Sequence, residues 1–95
     1  MPAQLSNFLR LDSIRARSRP SDFKLGKEIA ARGEVEIVER GGDFVCAKAG
    51  VRDGLTQRRR VELRSTLAGL SWRCSCTKKV ELFCKHCVAT ALAAR

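Results

Sequence analysis

The stretch from Ser71 to Ala94, SWRCSCTKKVELFCKHCVATALAA, decides how this chain folds. It holds Cys74-Ser75-Cys76, then seven residues, then Cys84-Lys85-His86-Cys87. Leu70, Trp72 and Cys74 fall on alternate positions and read as one face of a strand. That period puts Cys74 and Cys76 on the same side, with Ser75 turned away. The segment CKHCVATALAAR has helix-forming composition and predicts a short helix from about residue 85. Residues i and i+2 of a helix point apart, so Cys84 belongs just before the first turn and His86 within it. There the partial positive charge of the helix N-terminus favours the Cys84 thiolate. Three thiolates and one imidazole can surround Zn²⁺ tetrahedrally, which implies a closed structural site of Cys74, Cys76, Cys84 and His86. Cys87 has two readings: a small hydrophobe on the buried stripe with Val88, Ala91 and Leu92, or a replacement for His86 as ligand.

Working back from this cluster, the period stays at two. Arg58, Arg60, Glu62 and Arg64 alternate with Val61 and Leu63. Earlier, Val35 and Ile37 alternate with Glu34 and Glu36, Gly41-Gly42-Asp43 supplies a turn, and Phe44 to Ala49 resumes an extended run. Cys46 alternates with Phe44 and Lys48 and reads as inert packing, and Trp72 reads as a core anchor beside the site. Four antiparallel strands in a meander are the simplest arrangement. Before them, SDFKLGKEIAAR has Ser21 as a candidate N-cap, Phe23, Leu25, Ile29 and Ala30 at helical spacing, and Gly33 as a stop. These predict a helix from about 22 to 32. Residues 1–20, with four Arg, one Asp and a closing Pro, read as a basic flexible arm containing at most a short helix. The expected fold class is α+β: a small zinc-stapled antiparallel β-meander with an N-terminal helix and a short C-terminal helix, in one domain over residues 21–95. Arg95 has no cap residue after it, which suggests an excerpt of a longer protein.

At 95 residues, of which 24 are Leu, Ile, Val or Phe, the chain supports one modest core and wants a staple. No apolar run approaches the ~18 residues of a membrane span, and no secretory signal is evident, so an intracellular protein without a membrane partner is expected. The odd count of five cysteines, four of them clustered, argues for metal rather than a disulfide framework. The formal charge of +9 favours polyanionic partners. Arg58, Arg60, Arg64 and Arg73 on the polar strand face, with Lys78, Lys79 and Lys85 around the zinc loop, are the candidate phosphate contacts. The competing reading pairs some of those arginines with Glu34 and Glu36 across the sheet and leaves the lysines solvated.

The pattern CSC, seven residues, CKH and then VATALA resembles the SWIM-type zinc finger, whose signature is C-x-C, a variable loop, then C-x-H. Trp72 and the strands before it resemble the compact β-element that precedes the first ligand in such domains. The resemblance spans roughly residues 22–95 and implies Cys74, Cys76, Cys84 and His86 as zinc ligands. Cys87 departs from it, standing where the family has an aliphatic residue. Such modules occur in Swi/Snf-type helicase-like ATPases, Mutator-type transposases and some signalling kinases. The implied function is binding nucleic acid, DNA more than RNA; the alternative is a protein-docking module of a larger helicase-like or transposase machine.

No enzyme is expected. Cys84 and Cys87 have the C-x-x-C spacing of thiol redox catalysts, but those enzymes place the motif early, and only eight residues follow Cys87. A c-type haem site needs His directly after the second Cys, where Val88 stands. No paired carboxylates, Gly-rich phosphate loop or activated nucleophile is present, so no small-molecule substrate is expected.

Overall fold

A computed structural model describes residues 5–50, 59–75 and 83–95. A 3-10 turn over Leu5–Phe8 is followed by α1 (Leu11–Arg17), α2 (Pro20–Ala31), β1 (Val35–Arg40), β2 (Phe44–Ala49), β3 (Arg59–Thr66), β4 (Gly69–Cys74) and α3 (Lys85–Ala94). The strands form one antiparallel sheet in the order β1-β2-β3-β4. This is the expected α+β meander between N-terminal helices and a short C-terminal helix. Among the described residues no helix is long and apolar enough to cross a membrane.

The two-residue period sorts the sheet into faces. Val45, Ala47 and Ala49 of β2 stand opposite Leu63, Val61 and Arg59 of β3, while Leu63 and Val61 stand opposite Trp72 and Cys74 of β4. Val45, Ala47, Val61, Leu63 and Cys74 are all buried on this side. The register of β1 on β2 shifts between Ile37 and Glu39. A bulge of this kind re-aims the residues beyond it: Val38 is left exposed and Arg40 comes to the core-facing side opposite Val45. From there an Arg40 guanidinium nitrogen donates to the Ala94 carbonyl at 2.6 Å. That carbonyl is among the last of α3, where no helical partner exists and a cation complements the helix dipole.

Helix α3 forms the middle layer, against all four strands on one side and α2 on the other. Cys87, Val88, Ala89, Thr90 and Ala91 are fully buried. The sequence leads one to expect a single apolar stripe on α3, yet Ala89 and Thr90 lie outside it and are buried too, in a helix packed between the sheet and α2.

Two features of α2 differ from expectation. The helix begins at Pro20, with Arg19 rather than Ser21 as N-cap. Proline has a preset φ and no N–H to leave unsatisfied, so it fits the first helical position. No side chain caps by hydrogen bond; instead Arg19 Nε donates to Asp22 Oδ2 at 2.8 Å across the first turn. The stop at Gly33 is as expected, with φ of 69° and its N–H donating to the Ala30 carbonyl at 3.1 Å.

Gly26, in the middle of α2, sets how closely the helices approach. A Cβ there would stand 2.5 Å from Val88 Cβ and Cγ1 and 2.8 Å from the Lys85 carbonyl oxygen. Alanine gains about 1 kcal/mol of helix propensity over glycine, but overpacking against a backbone atom costs up to about 3 kcal/mol. Gly26→Ala is therefore expected to destabilise the protein by about 2 kcal/mol in a denaturant titration. A variant more stable than the wild type would contradict this packing of α2 on α3.

Residues 5–20, expected from sequence to belong to a basic arm, contribute Leu5, Leu9 and Ile14 to the core cluster. The Leu5 N–H donates to the Gly42 carbonyl at 3.0 Å, and the Arg17 guanidinium lies 5.6 Å from the centre of the Trp72 ring. Over this segment the arginines are exposed while Leu5, Leu9 and Ile14 cover the core and Leu11 stays at the surface.

Candidate metal centre

Two chain segments meet at the end of the sheet. β4 ends with Cys74 on the core side, opposite Val61. Ser75 turns outward as the strand period requires: its N–H donates to the Arg60 carbonyl at 3.0 Å, and its hydroxyl oxygen accepts from the Arg60 N–H at 2.9 Å. Cys84 is the N-cap of α3, in extended conformation (φ −74°, ψ 173°), its carbonyl accepting the Val88 N–H at 3.0 Å. His86 follows in the first turn. Phe83, 2% exposed, anchors this helix start by meeting Trp72 edge-on, with centroids 5.3 Å apart and planes at 77°.

Cys74, Cys84 and His86 are all buried, and their ligand atoms lie within 4.8 Å of one another. His86 Nδ1 is 3.7 Å from Cys74 Sγ and 3.9 Å from Cys84 Sγ. With Zn–S near 2.3 Å and Zn–N near 2.05 Å, a tetrahedral ion separates sulfur from nitrogen by about 3.6 Å, so the group already has close to the spacing a metal requires. The other ring nitrogen, Nε2, faces Gly50: a Cβ there would lie 3.7 Å away. The ring thus presents Nδ1 to the sulfurs.

The sulfur and imidazole groups stabilise each other's charged forms. The Cys84 thiol is held well below the ordinary thiol range, first by its hydrogen-bonding neighbour Cys74, then by Cys87, with burial opposing and His86 assisting. Burial lowers His86, but the sulfurs of Cys74 and Cys84 outweigh it and raise the ring to about 9. Cys87 is pushed the other way, held as a neutral thiol by its contacts with Cys74 and Cys84 and by burial. Its Sγ lies 3.8 Å from Cys84 Sγ.

The sequence-predicted ligands Cys74, Cys84 and His86 are thus brought together, and Cys76 lies outside the described residues. Cys87 is fully buried, as the packing reading has it, but its sulfur also borders the ligand group. The C-x-x-C spacing at a helix start is the sequence signal for that proximity. The anchoring role of Phe83 and the Arg17–Trp72 contact are not legible in the sequence, since nothing local marks these residues as partners.

Of the candidate phosphate contacts, Arg60, Arg64 and Arg73 stand on the sheet face opposite the helices, together with Lys48. Glu36, Glu39 and Glu62 interleave with them. Arg64 pairs with Glu62 at 3.1 Å and lies 5.4 Å from the centre of the Phe44 ring. Glu34 approaches Arg32 at 4.0 Å rather than a strand arginine, because it precedes β1. Lys85 is half-buried in the first turn of α3. Arg58, Lys78 and Lys79 lie outside the described residues.

The fold and the Cys/His group define a small α+β module with a candidate metal centre between its last strand and last helix. The chain matches no family model, no curated protein and no solved structure.

Proposed function

We propose that this chain is a structural zinc module of SWIM type, held by Cys74, Cys76, Cys84 and His86, that binds nucleic acid through its uncovered sheet face. The observation that carries the zinc reading is the convergence of Cys74, Cys84 and His86 from β4 and the start of α3, with sulfur–nitrogen distances of 3.7 and 3.9 Å. Thiolate and imidazole donors suit zinc rather than harder cations. Four protein ligands leave no open coordination position, so the ion supplies folding free energy and the module is not an enzyme. Cys46, Cys74, Cys84 and Cys87 form no disulfide among the described residues, which fits an intracellular setting.

Three thiolates with Zn²⁺ carry a charge of about −1, which leaves the chain strongly basic at about +8. Arg60, Arg64, Arg73 and Lys48 share a face that no described helix covers, and Arg58, Lys78, Lys79 and Lys85 neighbour it in sequence. DNA is the favoured partner over RNA. The test is an electrophoretic shift titration against duplex and single-stranded DNA at two salt concentrations. Each phosphate contact is expected to steepen the salt dependence by roughly one log unit per log unit of salt, and Arg60→Gln with Arg73→Gln should flatten it. A response independent of salt would end the phosphate reading.

The interleaved Glu36, Glu39 and Glu62, one of them paired to Arg64, favour a second reading. An alternating pattern of both signs complements a protein surface better than a phosphate backbone, and this face would then dock the module onto a larger helicase-like or transposase machine. Partner capture that survives nuclease treatment would support docking over DNA binding.

A further inference from the structure

We propose that Cys84 and Cys87 form a peroxide-oxidisable dithiol whose closure to a disulfide removes a ligand and releases the metal. The inference rests on the zinc reading for its consequence, but on the sulfur geometry alone for the bond itself. Cys84 Sγ and Cys87 Sγ are 3.8 Å apart. The two residues are the N-cap and third helical position of α3, the C-x-x-C placement at a helix start in which a disulfide can close within one turn. Cys87 is the described cysteine beside the ligand group that the tetrahedral set does not use. It is also a fully buried nucleophile for which packing alone gives no reason to prefer sulfur over the carbon of a neighbouring Val88 or Ala91.

The chemistry needs one co-reactant, a hydroperoxide. The Cys84 sulfur attacks the peroxide oxygen, the O–O bond breaks, and the leaving alkoxide or hydroxide takes a proton from water. The sulfur is thereby oxidised by two electrons to a sulfenic acid, and the peroxide is reduced. The Cys87 sulfur then attacks the Cys84 sulfur, the S–S bond forms, and the S–O bond breaks with release of water carrying the Cys87 proton. One thiolate donor is gone from the set, which weakens its hold on the ion. The event is stoichiometric, so it needs none of the remaining fold of a redox enzyme. A dithiol reductant reverses it.

The test treats the zinc-loaded chain with hydrogen peroxide, follows zinc release with a chromogenic chelator, and maps disulfides by mass spectrometry after trypsin digestion. Trypsin cuts after Arg73, Lys78, Lys79 and Lys85, so Cys74, Cys84 and Cys87 fall in separate peptides. The expected product joins peptide 80–85 to peptide 86–95, with one zinc released per chain, Cys46 still a free thiol, and recovery on adding dithiothreitol and zinc. Cys87→Ala should keep its zinc before treatment, then over-oxidise at Cys84 without a disulfide and without recovery. A disulfide joining Cys74 to Cys84, or release with no disulfide, would overturn the proposal. If Cys87→Ala does not fold, the wild-type peptide map still decides. A chain that carries no zinc yet forms the Cys84–Cys87 bond would sink the zinc reading and leave the dithiol standing.

Discussion

Stripping the chain with excess chelator at neutral pH is expected to abolish cooperative unfolding and most of the helical circular dichroism, and Cys84→Ser is expected to do the same. A structural zinc of this kind contributes on the order of 10–16 kcal/mol, whereas a core this small supplies only a few. The loss should not stay local. α3 is the middle layer, with Val88 and Ala91 fully buried between the sheet and α2; a helix released from β4 uncovers Val45, Val61 and Leu63 together with the inner face of α2. Part of the pH dependence comes from His86, the thiol ligands also having to lose their protons. Its ring, raised to about 9 by the neighbouring sulfurs against burial, is largely protonated at neutral pH, and a metal can take Nδ1 only by displacing that proton. Apparent zinc affinity should therefore rise with pH up to about 9 and fall in acid. A spectrum and melting curve unaltered by chelator would count against the metal as staple.

Phe83→Ala in the zinc-loaded protein is expected to cost about 3–5 kcal/mol, the range for deleting a buried aromatic ring. Phe83 is 2% exposed and stands edge-on against Trp72 at 5.3 Å, so the substitution loses apolar burial, the aromatic pair and the anchor immediately before Cys84. Zinc affinity should weaken along with stability, because the N-cap position of α3 is no longer pinned beside β4. The environment of Trp72, the chain's one tryptophan, gives a direct readout through its fluorescence. Phe83→Leu keeps most of the volume and should lose less than half as much. A loss below about 1 kcal/mol for the alanine variant would mean that Phe83 does not anchor this end of α3.

Where the fold is legible in the sequence, a strict local period determines the outcome. Val61, Leu63, Trp72 and Cys74 sit on one face because strands alternate, and that alternation also turns Ser75 away from the ligand group. Cys84 sits at the N-cap because residues two apart cannot share a helical face. The features that no local pattern announces are set by contacts distant in sequence. The closeness of α2 to α3 depends on Gly26 meeting Val88, and an isolated glycine in a helical pattern does not reveal its neighbour. The core role of Leu5, Leu9 and Ile14 is hidden because they are thinly spaced among arginines, and only the docked geometry gives them a common side. The bulge at Val38 is equally silent locally, although it turns Arg40 toward the carbonyl end of α3.

Native mass spectrometry of protein purified without chelator tests the central claim most directly. One zinc ion per chain is predicted, retained at neutral pH, lost on acidification, and absent from Cys84→Ser and from His86→Ala. A wild-type chain that flies as the bare polypeptide while keeping its folded charge-state distribution would contradict it.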